Sequence, residues 1–512
     1  MEKELPIGWI ETKLGVIAEW GSGGTPNRSE PNYYNGTIPW VKTGDLNDSI
    51  IYQASEYITE LGLKKSSAKL FPKGSIIVAM YGATIGKTAK LGFDATTNQA
   101  CAVAQTSKIV IPEFLHYFLK AEKQEFIEKG KGGAQPNISQ TVIKEHPFPL
   151  PPLPEQQRIV AKLDTLFGHL DALKTRLDQI PQLLKDFRQK VLTQAVTGKL
   201  TEEWREGRKL ENSYQSISDS IKERSKIQKV KKSIEDIIEL SNDLPDNWVL
   251  TTPDFIAVPE KYALGIGPFG SNLMVTDYKE DGVPLVFVRH IKSNDFKGMN
   301  PKYVSKEKSH ELIPHTVDSL DLLITKMGDP PGDCVIYPKN MPRAVITSDC
   351  LKFRVWDKFF DRNFIKHTTN SFYIKEQLGL ITKGVAQQKI SLERFKTLYY
   401  PIPPLEEQQE IVRRVESLFA KADQIEASYQ KLKAKIDQLP QALLAKAFRG
   451  ELVEQLPTDG DARDLLEQIK KLKGEGVGKI KGSGGGKGRG KKLKVEEEVR
   501  MVAEDGARYG KR

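Results

Sequence analysis

What the chain lacks sets the first limits. Among 512 residues there are three cysteines, Cys101, Cys334 and Cys350, with neither CxxC spacing nor an even framework. Buried, reduced thiols are expected rather than disulfides or zinc sites. The seven histidines are scattered. The local cluster HELIPH, His310 to His315, misses the HExxH spacing by one residue and holds a proline. That proline spoils the helix that would aim both imidazoles at one metal. No apolar run approaches the ~20 residues of a membrane helix, and the opening MEKELPIGW has no secretory h-region, so a cytoplasmic protein without membrane contact is expected.

Motifs for cofactor chemistry are also missing. GATIGKT, from Gly82 to Thr88, has three residues between its glycines, where a phosphate loop needs four. Asp329, Pro330, Pro331 and Gly332 imitate the D/N-P-P-aromatic motif of amino-methyltransferases. The stretch ends in glycine, follows no Gly-rich cofactor loop, and aligns with GATIGKT as a turn. No catalytic, cofactor or metal residue is assigned.

What is present is a repeat. LPEQQRIVAKLDTLF begins at Leu153 and LEEQQEIVRRVESLF at Leu405, 252 positions later. A block of about 150 residues precedes each copy, opening on LPIGW at Leu5 or LPDNW at Leu244 and closing on PLPPL at Pro149 or PIPPL at Pro401. At 512 residues, 39% hydrophobic and 28% charged, the chain has material for several globular domains. Its net charge of +10 is compatible with a polyanionic partner, although a basic tail supplies part of it.

From each copy onward, apolar residues recur at steps of four and three. The first series is Ile159, Leu163, Leu166, Leu170, Leu173, Leu177, Ile180, Leu184, Phe187 and Val191; the second is Ile411, Val415, Leu418, Ala422, Ile425, Tyr429, Leu432, Ile436, Leu439 and Leu443. A sustained 3.5-residue period predicts helices with a narrow seam, each the natural mate of the other. Parallel and antiparallel pairings both satisfy the pattern. Proline precedes each start, and Gly198 and Gly450 mark the stops. Pro181 and Pro440 fall inside and are expected to kink or loosen the rods. Gln156, Gln157, Arg158, Gln408 and Gln409 at the helix starts are candidates for capping or for partner docking.

Each block alternates short β-rich runs with turns, IPWVKTGDL and GSIIVAMYG against VPLVFVRHI and LDLLITKMG. A helix follows near Pro112 to Glu128 and near Asp361 to Leu378, and then GAQPNIS or VAQQKIS. Each reads as a compact α/β module with a mostly β core. Polar and basic residues cluster on the equivalent turns: Lys42, Thr43, Tyr81, Thr84, Lys87, Asn98 and Gln99 in the first block, and Arg289, His290, Lys292, Lys326, Gln387, Gln388 and Lys389 in the second. Lysine and arginine neutralise phosphates, and Arg, Asn and Gln match purine edges in the major groove. These residues are therefore the candidate DNA contacts.

With PLPPLPEQQRIVAKLD, AVTGKLTEEWRE, PIPPLEEQQEIV and AFRGELV, the chain resembles the specificity subunit of type I restriction-modification systems from LPIGW to about Glu454. The fold class expected is α/β (α+β), an internal pseudo-two-fold repeat. It comprises a target-recognition domain (1–150), a helix (151–200), a charged and partly helical linker (201–243) with its helix from Ile217 to Leu240, a second target-recognition domain (244–402), a second helix (403–453), and a C-terminal helix with a disordered Gly/Lys-rich tail (454–512). The linker's SIKERSK is loosely echoed by Leu465 to Lys473. The resemblance implies an antiparallel coiled coil and two domains that each read half of a split duplex DNA target. It also implies two modification subunits that carry S-adenosylmethionine and methylate adenine, and restriction subunits that use ATP with Mg. This chain would direct that chemistry without performing it. The competing readings are a fused methyltransferase-type enzyme and a coiled-coil protein adaptor.

Overall fold

The computed structural model describes residues 5–107, 109–130, 136–230, 234–298, 301–328, 331–382 and 389–478, with the side chains of 472–478 excepted. The chain divides into two compact units, Met1–Leu173 with Lys435–Arg512, and Lys174–Ala434. Gln387, Gln388 and the Gly/Lys-rich tail lie outside the described residues.

In the first unit one sheet runs Ala18–Ser22, Cys101–Thr106, Ile76–Ala79, Thr88–Leu91, Ile50–Ile51, and another runs Glu56–Ile58, Tyr34–Val41, Ala95–Thr97, Leu70–Phe71. The second unit repeats the order: Leu264–Ile266, Cys350–Phe353, Leu322–Thr325, Cys334–Ile336, and Tyr303–Val304, Val283–Val286, Ala344–Ile346, Thr316–Val317. Even the parallel pair recurs, Trp40 opposite Thr96 and Leu285 opposite Val345. The central strands Ile76–Ala79 and Leu322–Thr325 are buried on both faces. Ile76 and Val78 enter one core while Ile77 and Ala79 enter another, which is why these runs read as unbroken apolar segments rather than alternating ones. Cys101, Cys334 and Cys350 are buried free thiols, and burial pushes those of Cys334 and Cys350 up to about 12.

Each block is closed at its base. Ile10–Lys13 pairs with Pro147–Leu150, and Val249–Thr251 with Tyr400–Ile402, so the motifs that open and close each block in sequence are neighbours in space. The expected block helices are divided, into Pro112–Ala121 and Lys123–Lys129, and into Arg362–Thr369 and Phe372–Thr382. In the second block the break falls at Asn370, whose side chain is drawn aside to the backbone N–H and carbonyl of Cys334 at 3.0 and 2.7 Å.

The long helices are Leu153–Leu177, Ile180–Val196 and Leu405–Ala447. Pro181 takes the start of a new helix, where its missing N–H costs least, and so ends the first rod's continuity. Pro440 lies inside an unbroken helix, between buried Ile436 and Leu444. Within the second unit the helices run antiparallel: Asp178 meets Lys433 at 3.3 Å, and Arg188 meets Asp423 at 2.7 Å and Glu426 at 2.9 Å. Within the first unit, Ile159, Leu163 and Phe167 share a core with Leu443, Leu444 and Ala447, the same antiparallel sense.

The predicted seam separates into two ladders. Leu163, Leu170, Leu177, Leu184 and Val191 are buried, as are Val415, Ala422, Tyr429 and Ile436, while Ile159 and Ile411 enter the domain cores. Leu166 and Leu418 are only partly buried, and Leu173, Phe187, Ile425, Leu432 and Leu439 are exposed. A helix with one mate centres one heptad position on it and leaves the other at the margin.

A short helix braces each unit. In the linker Ser213–Ile227 is helical and buries Ile217; at the C-terminus Ala462–Gly478 buries Ala462 and Ile469. Their starts are tied alike, Ser213 N–H to Asn247 O at 3.1 Å and Ala462 N–H to Gly8 O at 2.9 Å. The linker helix does not extend to Leu240 as expected, because Glu239 exchanges backbone hydrogen bonds with Leu250 at the sheet edge.

Candidate nucleic-acid interface

In each domain the ends of the two parallel strands gather several turns. In the first, Asn98 N–H donates to Val41 O at 3.0 Å and Met80 N–H to Ala100 O at 2.9 Å. Ile138 N–H donates to Met80 O at 2.9 Å and Gly82 N–H to Pro136 O at 2.9 Å. These bonds join the turns that carry Lys42, Thr43, Tyr81, Thr84, Asn98 and Gln99. In the second, Thr347 N–H donates to Val286 O at 2.9 Å, Lys326 N–H to Asp349 O at 2.8 Å, and Ile390 N–H to Lys326 O at 3.0 Å. Lys326, Lys389 and the start of the Val288–Ser293 helix are thereby brought to one end of the module.

The side chains are not equally available. Tyr81 is 46% exposed, and the Thr84 hydroxyl donates to its carbonyl at 2.8 Å. Thr43 is half-buried and Lys292 exposed. Lys87, Lys292 and Lys389 make no side-chain hydrogen bond or ion pair among the described residues, so their charge is available to an anion. Lys42 is paired with Glu56 at 2.5 Å, and Glu56 also holds Arg28 at 2.7 Å, which neutralises part of the charge expected there. The carboxyl of Glu56 is held below its ordinary range chiefly by the hydrogen bonds from Arg28 and Lys42. Asn98 Oδ1 is buried without a donor among the described residues, and Gln99 accepts from the Thr25 hydroxyl. The Arg289 guanidinium lies 4.1 Å from the centroid of the Phe287 ring.

Two of the candidates are less accessible than their sequence context suggests. His290 is 4% exposed, and its Nδ1 accepts from Phe287 N–H at 3.2 Å; it caps a short helix and does not present a free edge. Lys326 is 8% exposed, with Nζ 3.3 Å from Ser348 O and 4.8 Å from the centroid of the Phe269 ring. Desolvation lowers its pKa. Sequence reasoning passed over Thr25 and Phe269, which each follow a glycine-rich stretch, GSGG in the first domain and GIGP in the second.

The helix-start glutamines are structural. Gln156 accepts from Ile111 N–H at 3.1 Å and donates to Pro151 O at 3.0 Å, and Gln408 accepts from Asp361 N–H at 2.8 Å and donates to Pro403 O at 2.9 Å. Beside them Trp9 Nε1 donates to Glu155 at 2.8 Å and Trp248 Nε1 to Glu407 at 3.0 Å. Each domain is thus locked to the helix that follows it. Gln157 and Gln409 are exposed. Arg158 forms a two-pronged pair with Asp459 at 2.6 and 2.7 Å. A possible metal cluster of Glu122, Glu125 and His146 is already served by the Lys129 ammonium, 2.7 Å from Glu125 and 2.9 Å from His146 Nδ1.

The family model for the type I restriction modification DNA specificity domain matches residues 6–182 and 323–434. The chain is 28% identical over 507 residues to the type I restriction enzyme EcoKI specificity subunit of Escherichia coli K12, covering 93% of this chain and 98% of that one. It is 28% identical over 487 residues to the EcoBI specificity subunit of Escherichia coli, covering 92% and 94%. In fold it is similar to the crystal structure of the HsdS subunit from Thermoanaerobacter tengcongensis, with a TM-score of 0.53 and 19% identity over 88% of this chain and 99% of that one. A chain from a study of assembly and conformational transition in a type I R-M system gives a TM-score of 0.58, also at 19% identity, with the same coverage.

Proposed function

Because the chain belongs to the type I restriction modification DNA specificity family, we propose that its two modules each read one half of a bipartite duplex target, with the paired helices setting the unread spacer. Its role is DNA sequence specificity in a type I restriction-modification system, as a non-catalytic recognition subunit. The observation that carries the two-part reading is the repeat itself: two domains with one strand order, whose parallel strands end in equivalent clusters of turns bearing different side chains. A shared scaffold with divergent turns is what two readers of different sequences need. The contacts assigned are Lys42, Thr43, Tyr81, Thr84, Lys87, Asn98 and Gln99 to one half-site and Arg289, Lys292, Gln387, Gln388 and Lys389 to the other, phosphate contacts fixing register and base contacts supplying choice.

Partners supply the chemistry. Two modification subunits bring S-adenosylmethionine and methylate adenine, a step that requires the base to leave the stack. Restriction subunits bring ATP with Mg. Support for docking on the helices comes from the exposed apolar residues Phe187, Ile425 and Leu432 of the second unit, since apolar residues left exposed beside a two-helix seam offer a surface for a further helix. The test is to map methylated adenines genome-wide in cells with and without this chain. A two-part motif that vanishes with the chain is expected; an unchanged methylation map overturns the reading.

A further inference from the structure

The two domains carry the same corner with different chemistry. Ser22 pairs with Ala102 and Ile266 with Leu351, so Gly23 and Gly267 follow equivalent strand ends. A Cβ on either would stand 1.9 Å from a carbonyl oxygen, that of Thr97 or of Thr347, and only glycine lets the backbone pass so close. Two residues further, the first domain places Thr25, whose hydroxyl donates to Gln99. The second places Phe269, with the Lys326 ammonium 4.8 Å from its ring centroid and 3.3 Å from Ser348 O.

Phe269 is 63% exposed, and Met274 and Val275 on the same loop are 50% and 77% exposed. A single exposed apolar residue needs no explanation. Three on one loop, beginning at the end of the module where the candidate contacts gather, mark a surface made to meet something partly apolar. In duplex DNA the apolar group accessible from the major groove is the thymine C5-methyl. A phenylalanine wedged between base pairs needs both faces of its ring, but here Lys326 occupies one. A methyl contact needs only one face or an edge.

We propose that Phe269 is a specificity-determining contact of the second domain, laying its free face against the methyl group of a thymine in that domain's half-site. Lys326 positions the ring. At the same corner of the first domain, Gln99 offers the amide pair that matches adenine, so one place in the scaffold reads by hydrogen bonds in one copy and by apolar contact in the other. The inference rests on the two-half-site reading above.

The test uses the full chain assembled with its modification subunits and duplexes bearing its mapped motif, with thymines of each half-site replaced singly by deoxyuridine. One replacement in one half-site is expected to weaken wild-type binding by roughly fivefold to tenfold, the lower part of what a single base contact carries. Phe269→Ala should show the same loss on thymine DNA and no further loss on uracil DNA, whereas Phe269→Leu should retain part of the preference. An unchanged thermal midpoint will show that these exposed-site variants are folded. A Phe269→Ala complex that binds as wild type and still distinguishes uracil overturns this inference alone; a wild-type complex with no two-part motif removes the reading beneath it.

Discussion

The indole N–H of Trp248 donates to Glu407 at 3.0 Å, in a site where that carboxylate is fully buried and also receives Arg205 at 2.5 Å and the Thr201 hydroxyl at 2.6 Å. Its counterpart, Glu155, accepts from Trp9 and forms no ion pair among the described residues. The same motif glutamate therefore sits in two electrostatic settings. Glu407→Gln leaves the largely buried Arg205 without its carboxylate and is expected to cost about 3–5 kcal/mol. Glu155→Gln keeps an acceptor for Trp9 and should change stability by less than about 1 kcal/mol at neutral pH. Denaturant titration of the two variants checks the contrast; equal losses would contradict it.

Burial is the largest influence on the Glu155 carboxyl and raises its pKa above the ordinary glutamate range. The folded state then holds this proton more tightly than the unfolded state. The group's contribution to stability is greatest below the unfolded pKa and declines as pH rises through the folded one. Glu155→Gln should remove that decline, so the variant gains on wild type from acidic toward neutral pH. Melting midpoints across that range give the sign, and a variant that loses ground as pH rises contradicts it.

Among the cationic candidates, Lys87 is available while Lys42 is held by Glu56. Lys87→Ala should weaken DNA binding by the assembled complex for target and non-target duplexes alike, and reduce the magnitude of the slope of log affinity against log salt by about 1. Lys42→Ala should have the smaller effect. Salt titrations with both duplexes decide this, and a loss confined to the target would mark Lys87 as a base reader instead.

The two ladders on the long helices should separate by phenotype. Leu163→Ala removes a fully buried side chain and is expected to cost about 2–5 kcal/mol. Ile425→Ala, from a residue 53% exposed, should cost less than about 1 kcal/mol yet weaken assembly with the modification subunit. Unfolding curves and sedimentation of the mixed subunits measure the two effects. Normal assembly by an Ile425→Ala, Leu432→Ala double variant would remove the docking role.

Replacing residues 1–150 with the corresponding block of another family member should change one half of the methylated motif and leave the other half intact. Sequencing of methylated sites reads the result directly. Change in both halves, or in neither, contradicts modular reading.

The parts of this architecture that were legible in the sequence are those where periodicity or repetition reports burial. The 252-residue offset, the helix starts at Leu153 and Leu405, the glycine stops and the apolar strand runs all appear in the structure. Antiparallel pairing was not legible from the heptads, because both senses give the same apolar pattern; the Asp178–Lys433 and Arg188–Asp423 contacts fix it within the second unit. The seam was overestimated, since a 3.5-residue period does not say how many mates a helix has. At the candidate interface, sequence chemistry favoured polar and charged side chains. It therefore included His290, which is spent on a cap, and missed Phe269, whose significance depends on a turn that only the fold brings beside Lys326.

The strand pairing of Ile10–Lys13 with Pro147–Leu150, repeated by Val249–Thr251 with Tyr400–Ile402, brings the chain out of each block beside the point where it went in. Turns between those strands can lengthen, shorten or change composition without shifting the phase in which the next helix begins. Selection can thus explore new target sequences within a block while the geometry of the supporting helices remains insulated from that drift.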